Sequence, residues 1–164
     1  AESMGLAGAL GVHVRRTDKG REAPSNLTLT AERAAASVCR AARGAGVSRV
    51  FLASDCDAFL CDLQNALELQ GFRVVTWGSH LPAKLGKPCH MDPAIPGLEK
   101  AADAIADCFL LSRCRGLLTT YSSLSAVATL WSEPGVTWDH FCDRDSEADS
   151  CCDGRAELPG NDFG

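Results

Sequence analysis

Between residues 8 and 132, short apolar stretches alternate with longer stretches of helical pattern, and that alternation limits the fold more than any other feature. Gly8–Val14 (GALGVHV) reads as a strand. Thr30–Gly46 reads as a helix: Thr30 is a cap, Glu32 lies in the first turn, Arg40 and Arg43 lie near the end, and Gly44 and Gly46 stop it. Val47–Ser54 has the near-continuous apolar centre of a buried strand. Asp57–Gln70 carries a helical stripe at Phe59, Leu60, Leu63, Leu67 and Leu69, and Gly71 closes it. Phe72–Trp77 is a third strand, and the proline-bearing stretch His80–Pro96 a loop. Leu98–Ser112 is a helix, Gly116–Thr120 a fourth strand and Ser122–Ser132 a last helix. Strands separated by helices predict an α/β fold, a three-layer Rossmann-like parallel sheet with helices on both faces.

Composition agrees. Hydrophobic residues make up 46% and charged residues 23% of 164, the balance of one soluble domain rather than a disordered chain. No apolar run is long enough to cross a membrane. The chain opens at Ala1-Glu2-Ser3 without Met, which reads as a piece of a longer protein or a processed product. Residues 133–164 hold nine acids against Arg144 and Arg155, so the net charge of −5 hides a body (residues 1–132) that is slightly basic. That body lacks the Lys/Arg cluster a nucleic-acid groove needs, so no nucleic-acid partner is expected. The acidic, cysteine-bearing residues 133–164 read as a tail, mostly loop or disordered. Nine cysteines and the sequon Asn26-Leu27-Thr28 favour a secretory compartment.

Ligands of parallel sheets bind beyond the carboxyl ends of the strands. After the first strand, Arg15, Arg16, Lys19 and Arg21 place four cations within seven residues. Guanidinium groups bind phosphate oxygens in pairs, and Lys adds a point charge. After the fourth strand, Ser122 and Ser123 open a helix whose N–H groups form an anion site. Two phosphate-binding devices on one edge point to a nucleotide or sugar phosphate. There is no G-x-G-x-x-G fingerprint and no Walker A loop, which argues against the common dinucleotide and P-loop readings.

These residues also carry a family likeness. GVHVRRTDK (Gly11–Lys19) resembles the first motif of the α1,6-fucosyltransferases of the N-glycan core, with related forms in bacterial nodulation and protein O-fucosyltransferases. RVFLASD (Arg49–Asp55) and DCFLLSRCRGLLTTYSS (Asp107–Ser123) resemble the second and third motifs. The resemblance spans about residues 8–132 and implies the GDP-sugar-binding lobe of a two-lobed GT-B glycosyltransferase. It further implies transfer of fucose from GDP-fucose, without a metal cofactor, to a glycan or glycoprotein acceptor. The expected setting is the Golgi or endoplasmic reticulum lumen, within a membrane-anchored parent that supplies the N-terminal lobe.

Residue by residue, the resemblance gives Arg15 the β-phosphate and charge stabilisation on the leaving group. It gives His13 and Asp107 the guanine, and Ser123 with Ser122 the phosphate at the helix start. Asp18 and Lys19 match positions required for activity, and Asp55 matches the first of two acids after the second strand. Glu22 is the candidate acceptor base, one residue nearer Lys19 than the family spacing. Arg16 joins the substrate-binding set as part of the cation cluster. Departures are Cys56 in place of the second acid, with Asp57 next to it, and the lack of a downstream tyrosine, since Tyr121 is the only one.

Blander readings stand beside these. The cations could be a solvated loop, His13 a packed ring, Asp107 a surface ion-pair partner, and Ser122 and Ser123 simple caps. Asp55-Cys56-Asp57 has the D-x-D form of a metal-dependent sugar transferase, yet acids also suit the start of the following helix. His140, Cys142, Cys151 and Cys152 fit no standard zinc spacing. A non-catalytic nucleotide-binding module remains the alternative to an enzyme.

Overall fold

The computed structural model describes residues 4–16, 28–77 and 93–141. After a 3-10 turn at Leu6–Gly8, the chain runs β1 (Ala9–Val14), α1 (Ala31–Gly44), β2 (Arg49–Ser54), α2 (Asp57–Leu69) and β3 (Arg73–Thr76). It continues with α3 (Gly97–Ser112), β4 (Gly116–Thr119), α4 (Ser123–Trp131) and β5 (Thr137–His140). Local chemistry sets the ends. Thr30 Oγ1 accepts from the Arg33 amide at 3.3 Å to cap α1, and Gly46, at φ 65°, takes the left-handed turn that ends it. Ser122 caps α4 in the same way, accepting from the Ser125 amide at 3.0 Å.

The sheet is five-stranded and all parallel, in the order β3-β2-β1-β4-β5. Val12 stands between Leu52 and Leu118 in register. Side chains alternate across the pleat. Leu10, Val12, Val14, Val50, Leu52 and Leu118 face a core with Val38 and Ala42 of α1 and Leu63 and Leu67 of α2. Ala9, Phe51, Ala53 and Leu117 face the other core, with Leu110 and Leu111 of α3 and Ala128 of α4. Burying each large apolar side chain contributes about 1.5–3 kcal/mol. On this second face β1 carries Gly11, where a Cβ would lie 2.8 Å from Leu117 Cδ2 and 3.1 Å from Cys114 Cβ. Only glycine lets the end of α3 approach the strand so closely.

The fold is the α/β, Rossmann-like class expected, with one correction. Four strands were expected, and the structure adds a fifth, β5, inside the stretch read as a tail. Its residues are mostly exposed, so no apolar run announces it. Beyond its ladder with β4, Phe141 N donates to Thr119 O at 3.0 Å, and the Phe141 ring packs against the α1/α2 core. Residues 142–164, with their cysteines, lie outside the described residues. The five described cysteines (39, 56, 61, 108 and 114) are free thiols. Among the described residues no helix is long and apolar enough to cross a membrane.

Candidate functional site

The strand order reverses between β1 and β4. The chain leaves β1 toward β2 and β3, then returns on the other side as β4. A crevice opens beyond the carboxyl ends at such a switch point. The residues that follow β1 and β4 are therefore neighbours, although more than a hundred positions separate them. Thr120 N donates to His13 O at 2.9 Å, and Arg15 N donates to Thr120 Oγ1 at 2.8 Å. Arg15 and the N-terminus of α4 thus share one edge.

Asp55, at the end of β2, clamps the end of β1. Its Oδ1 accepts from Arg16 N at 2.8 Å and its Oδ2 pairs with Arg15 Nε at 3.2 Å. The Asp55 side chain is 6% exposed and that of Arg15 20%. A buried carboxylate gripping backbone and guanidinium together fixes the arginine's aim, which fewer partners would leave to rotamer freedom. Ser54 Oγ donates to Val14 O at 2.8 Å and tightens the same junction. Both oxygens of Asp55, the first acid of the D-x-D string, are thus engaged by the end of β1. Among the described residues no three His, Cys, Asp or Glu side chains gather as a metal cluster.

Arg16, expected in the substrate-binding set, packs on the other side of the β1 end. Its guanidinium donates to Leu29 O and lies over the Phe59 ring, 4.5 Å from the centroid. Phe59 and Leu29 belong to the α1/α2 core, so Arg16 staples that face, while the neighbouring Arg15 pairs with Asp55.

His13, 2% exposed, points from β1 toward α4. Its Nδ1 lies 2.8 Å from Ser125 Oγ and 3.4 Å from Ser122 Oγ. Burial drives its pKa down to about 4; the Asp55 charge opposes that shift and the Arg15 charge adds to it. The ring is neutral near neutral pH. Ser122 and Ser123 stand at the start of α4 as expected, with Ser122 half-buried and Ser123 exposed.

Asp107 is a different case. It lies on α3, 8% exposed, and its Oδ1 is buried without a hydrogen-bond partner. Asp103, one turn earlier, has an Oδ1 in the same condition. Burial raises the Asp107 pKa to about 7, and the Asp103 charge adds to the rise. The surface ion-pair reading therefore does not describe it. Among the described residues no hydrogen bond joins Asp107 to the Arg15–His13–Ser122 network. Asp18, Lys19 and Glu22 lie outside the described residues.

Several residues of the edge escaped the sequence reading. Thr120 (3% exposed) and Ser125 (3% exposed) tie β1 to the start of α4: the Thr120 hydroxyl accepts from Arg15 N, and the Ser125 hydroxyl meets His13 Nδ1 and Thr120 O. Their only sequence signal is a run of hydroxyls, Thr119 to Ser125, at a strand–helix junction. Beside them His140 stacks on Tyr121 at 4.2 Å between centroids and meets Trp138 edge-on at 5.0 Å. His140 Nδ1 donates to Thr119 O at 3.2 Å.

No protein-family model and no curated protein matches the chain. Solved structures do. A crystal structure of POFUT1 in complex with GDP aligns with a TM-score of 0.52 at 11% identity, covering 82% of this chain. The fold is POFUT1-like. A second structure, POFUT1 in complex with GDP-fucose, aligns with a TM-score of 0.51 at 13% identity, again over 82% of this chain. The chain spans 43% and 41% of those two POFUT1 chains.

Proposed function

We propose that this chain is the donor-binding lobe of an inverting glycosyltransferase that takes fucose from GDP-fucose. The single observation that carries the reading is the meeting of Arg15, held by Asp55, with the amide end of α4 at one switch-point edge. A diphosphate needs two such devices, a guanidinium on one side and N–H donors on the other. The likeness of the fold to two POFUT1 structures, one with GDP and one with GDP-fucose, supports the choice of nucleotide.

In this reading Arg15 takes the β-phosphate, and Ser122 and Ser123 bind the same diphosphate from the start of α4. Asp107 offers its unpaired carboxylate to N–H donors of guanine, and His13 addresses the nucleotide as a neutral ring. The acceptor hydroxyl attacks the anomeric carbon as the bond to the β-phosphate oxygen breaks. Negative charge grows on GDP, and Arg15 stabilises that charge most in the transition state. Glu22 would take the acceptor proton and Lys19 would assist the departing diphosphate. The glycan or glycoprotein acceptor, the second GT-B lobe, a secretory location and metal-independent chemistry belong to the same proposal.

Calorimetric titration with GDP, GDP-fucose and UDP tests it. GDP and GDP-fucose should bind, UDP should bind far more weakly, and EDTA should change nothing. Binding of no nucleotide would sink the reading. Binding that requires Mn²⁺ would favour a metal-dependent transferase instead. GDP binding with no transfer by the longer parent would leave a non-catalytic module.

A further inference from the structure

The hydroxyl of Ser125 has one proton and three polar neighbours. Thr120 O lies at 3.0 Å, Ser122 Oγ at 2.9 Å and His13 Nδ1 at 2.8 Å. Thr120 O is a carbonyl and can only accept, so it takes the Ser125 proton. The Ser125 oxygen then presents lone pairs to its other two neighbours. A bare Nδ1 lone pair 2.8 Å from that oxygen would be repelled, so Nδ1 must carry hydrogen. Ser122 Oγ already accepts from Ser125 N at 3.0 Å and sends its own proton to Ser125 Oγ. Every donor and acceptor in this circuit is matched in one arrangement only.

We propose that Ser125 is a positioning residue of the donor site: it holds His13 as the Nδ1–H tautomer, leaving Nε2 as an acceptor for an N–H or O–H group of the nucleotide. A histidine's tautomer is set by the partner of its other nitrogen. Nε2 has no hydrogen-bond partner among the described residues. The neighbouring charges that act on the ring are Asp55 and Arg15, and burial keeps it uncharged. A neutral ring with an unprotonated Nε2 cannot donate to a phosphate oxygen. The division of labour follows: Arg15 and α4 take the anion, and His13 reads a neutral donor such as a ribose hydroxyl or a base N–H. The ligand half of this inference rests on the GDP-sugar reading above; the tautomer half does not.

Two-dimensional ¹⁵N–¹H spectra of the histidine rings test it on this chain near neutral pH, with His13 assigned by its loss in His13→Gln. The wild type should show a protonated Nδ1 and a bare Nε2. Ser125→Ala should shift the ring toward the Nε2–H tautomer and weaken GDP binding roughly tenfold, the worth of one hydrogen bond. Ser125→Thr should restore both, which a purely structural role would not require. A wild-type ring that is Nε2–H or doubly protonated overturns the proposal. So does a Ser125→Ala variant, folded by circular dichroism, whose tautomer or GDP affinity is unchanged. If the wild type binds no GDP, the GDP-sugar reading fails, and the spectra alone still decide whether Ser125 sets the tautomer.

Discussion

Two groups of buried polar side chains in this molecule stand in opposite conditions. Around the ends of β1 and β4, Arg15, Asp55, His13, Thr120, Ser122 and Ser125 are all hydrogen-bonded or ion-paired. On α3, Asp103 and Asp107 each keep a buried carboxylate oxygen with no partner. A satisfied network is rigid and aimed before any ligand arrives. An unsatisfied carboxyl carries a desolvation cost that an incoming donor can relieve. The wired group suits an anion that must be gripped in one geometry. The orphaned pair suits a ligand edge rich in N–H groups.

The contrast can be broken most forcefully at Asp55. Asp55→Ala removes the partner of a partly buried arginine and of the Arg16 amide. It should cost about 3–5 kcal/mol in chemical denaturation and abolish GDP binding. Arg15→Ala strands the Asp55 carboxylate and so should also lower stability, and in transfer by the proposed fucosyltransferase it should cost at least ~3 kcal/mol of barrier, a rate loss of 10²-fold or more. Full turnover there would contradict the assignment.

Asp107→Asn should sharpen the contrast by moving stability and binding in opposite directions. The folded-state pKa of about 7 lies above the ordinary 3.8, so the native state holds this proton more tightly than the unfolded chain does. Stability from this group is present at low pH and lost as pH rises from about 4 through about 7. His13 acts the other way: its stability is present above pH 6.5 and is lost as pH falls toward about 4. Asp107→Asn should therefore stabilise the free protein near pH 7, on the order of a kcal/mol or more, and flatten the decline. It should also weaken GDP binding. Wild-type binding near pH 7 should release a proton, read from titrations in buffers of different ionisation enthalpy. The smallest effect is expected at Phe141→Ala, about 1–2 kcal/mol, because this ring packs at the core's margin to hold an edge strand.

Much of this was legible in the sequence, for identifiable reasons. The helices of the central body begin and end within one or two residues of their cap and glycine signals, as Thr30 and Gly46 illustrate. Four strands showed as apolar runs because a parallel sheet buries both faces. The fifth did not, because Thr137–His140 is an exposed edge held by its neighbour Phe141. The place of Arg15 at the carboxyl edge of the sheet was legible from its position after β1. The contact of Arg16 with Phe59 was not legible, because composition does not show which ring a guanidinium lies on. The contact of Ser125 with His13 was invisible in the sequence, since it reaches a partner 112 positions away.

The most direct test of the central claim is a crystal structure of this chain with GDP. The account predicts β-phosphate oxygens within about 3 Å of both the Arg15 guanidinium and the first amides of α4. A diphosphate held by only one of them, or bound elsewhere on the sheet, would contradict it.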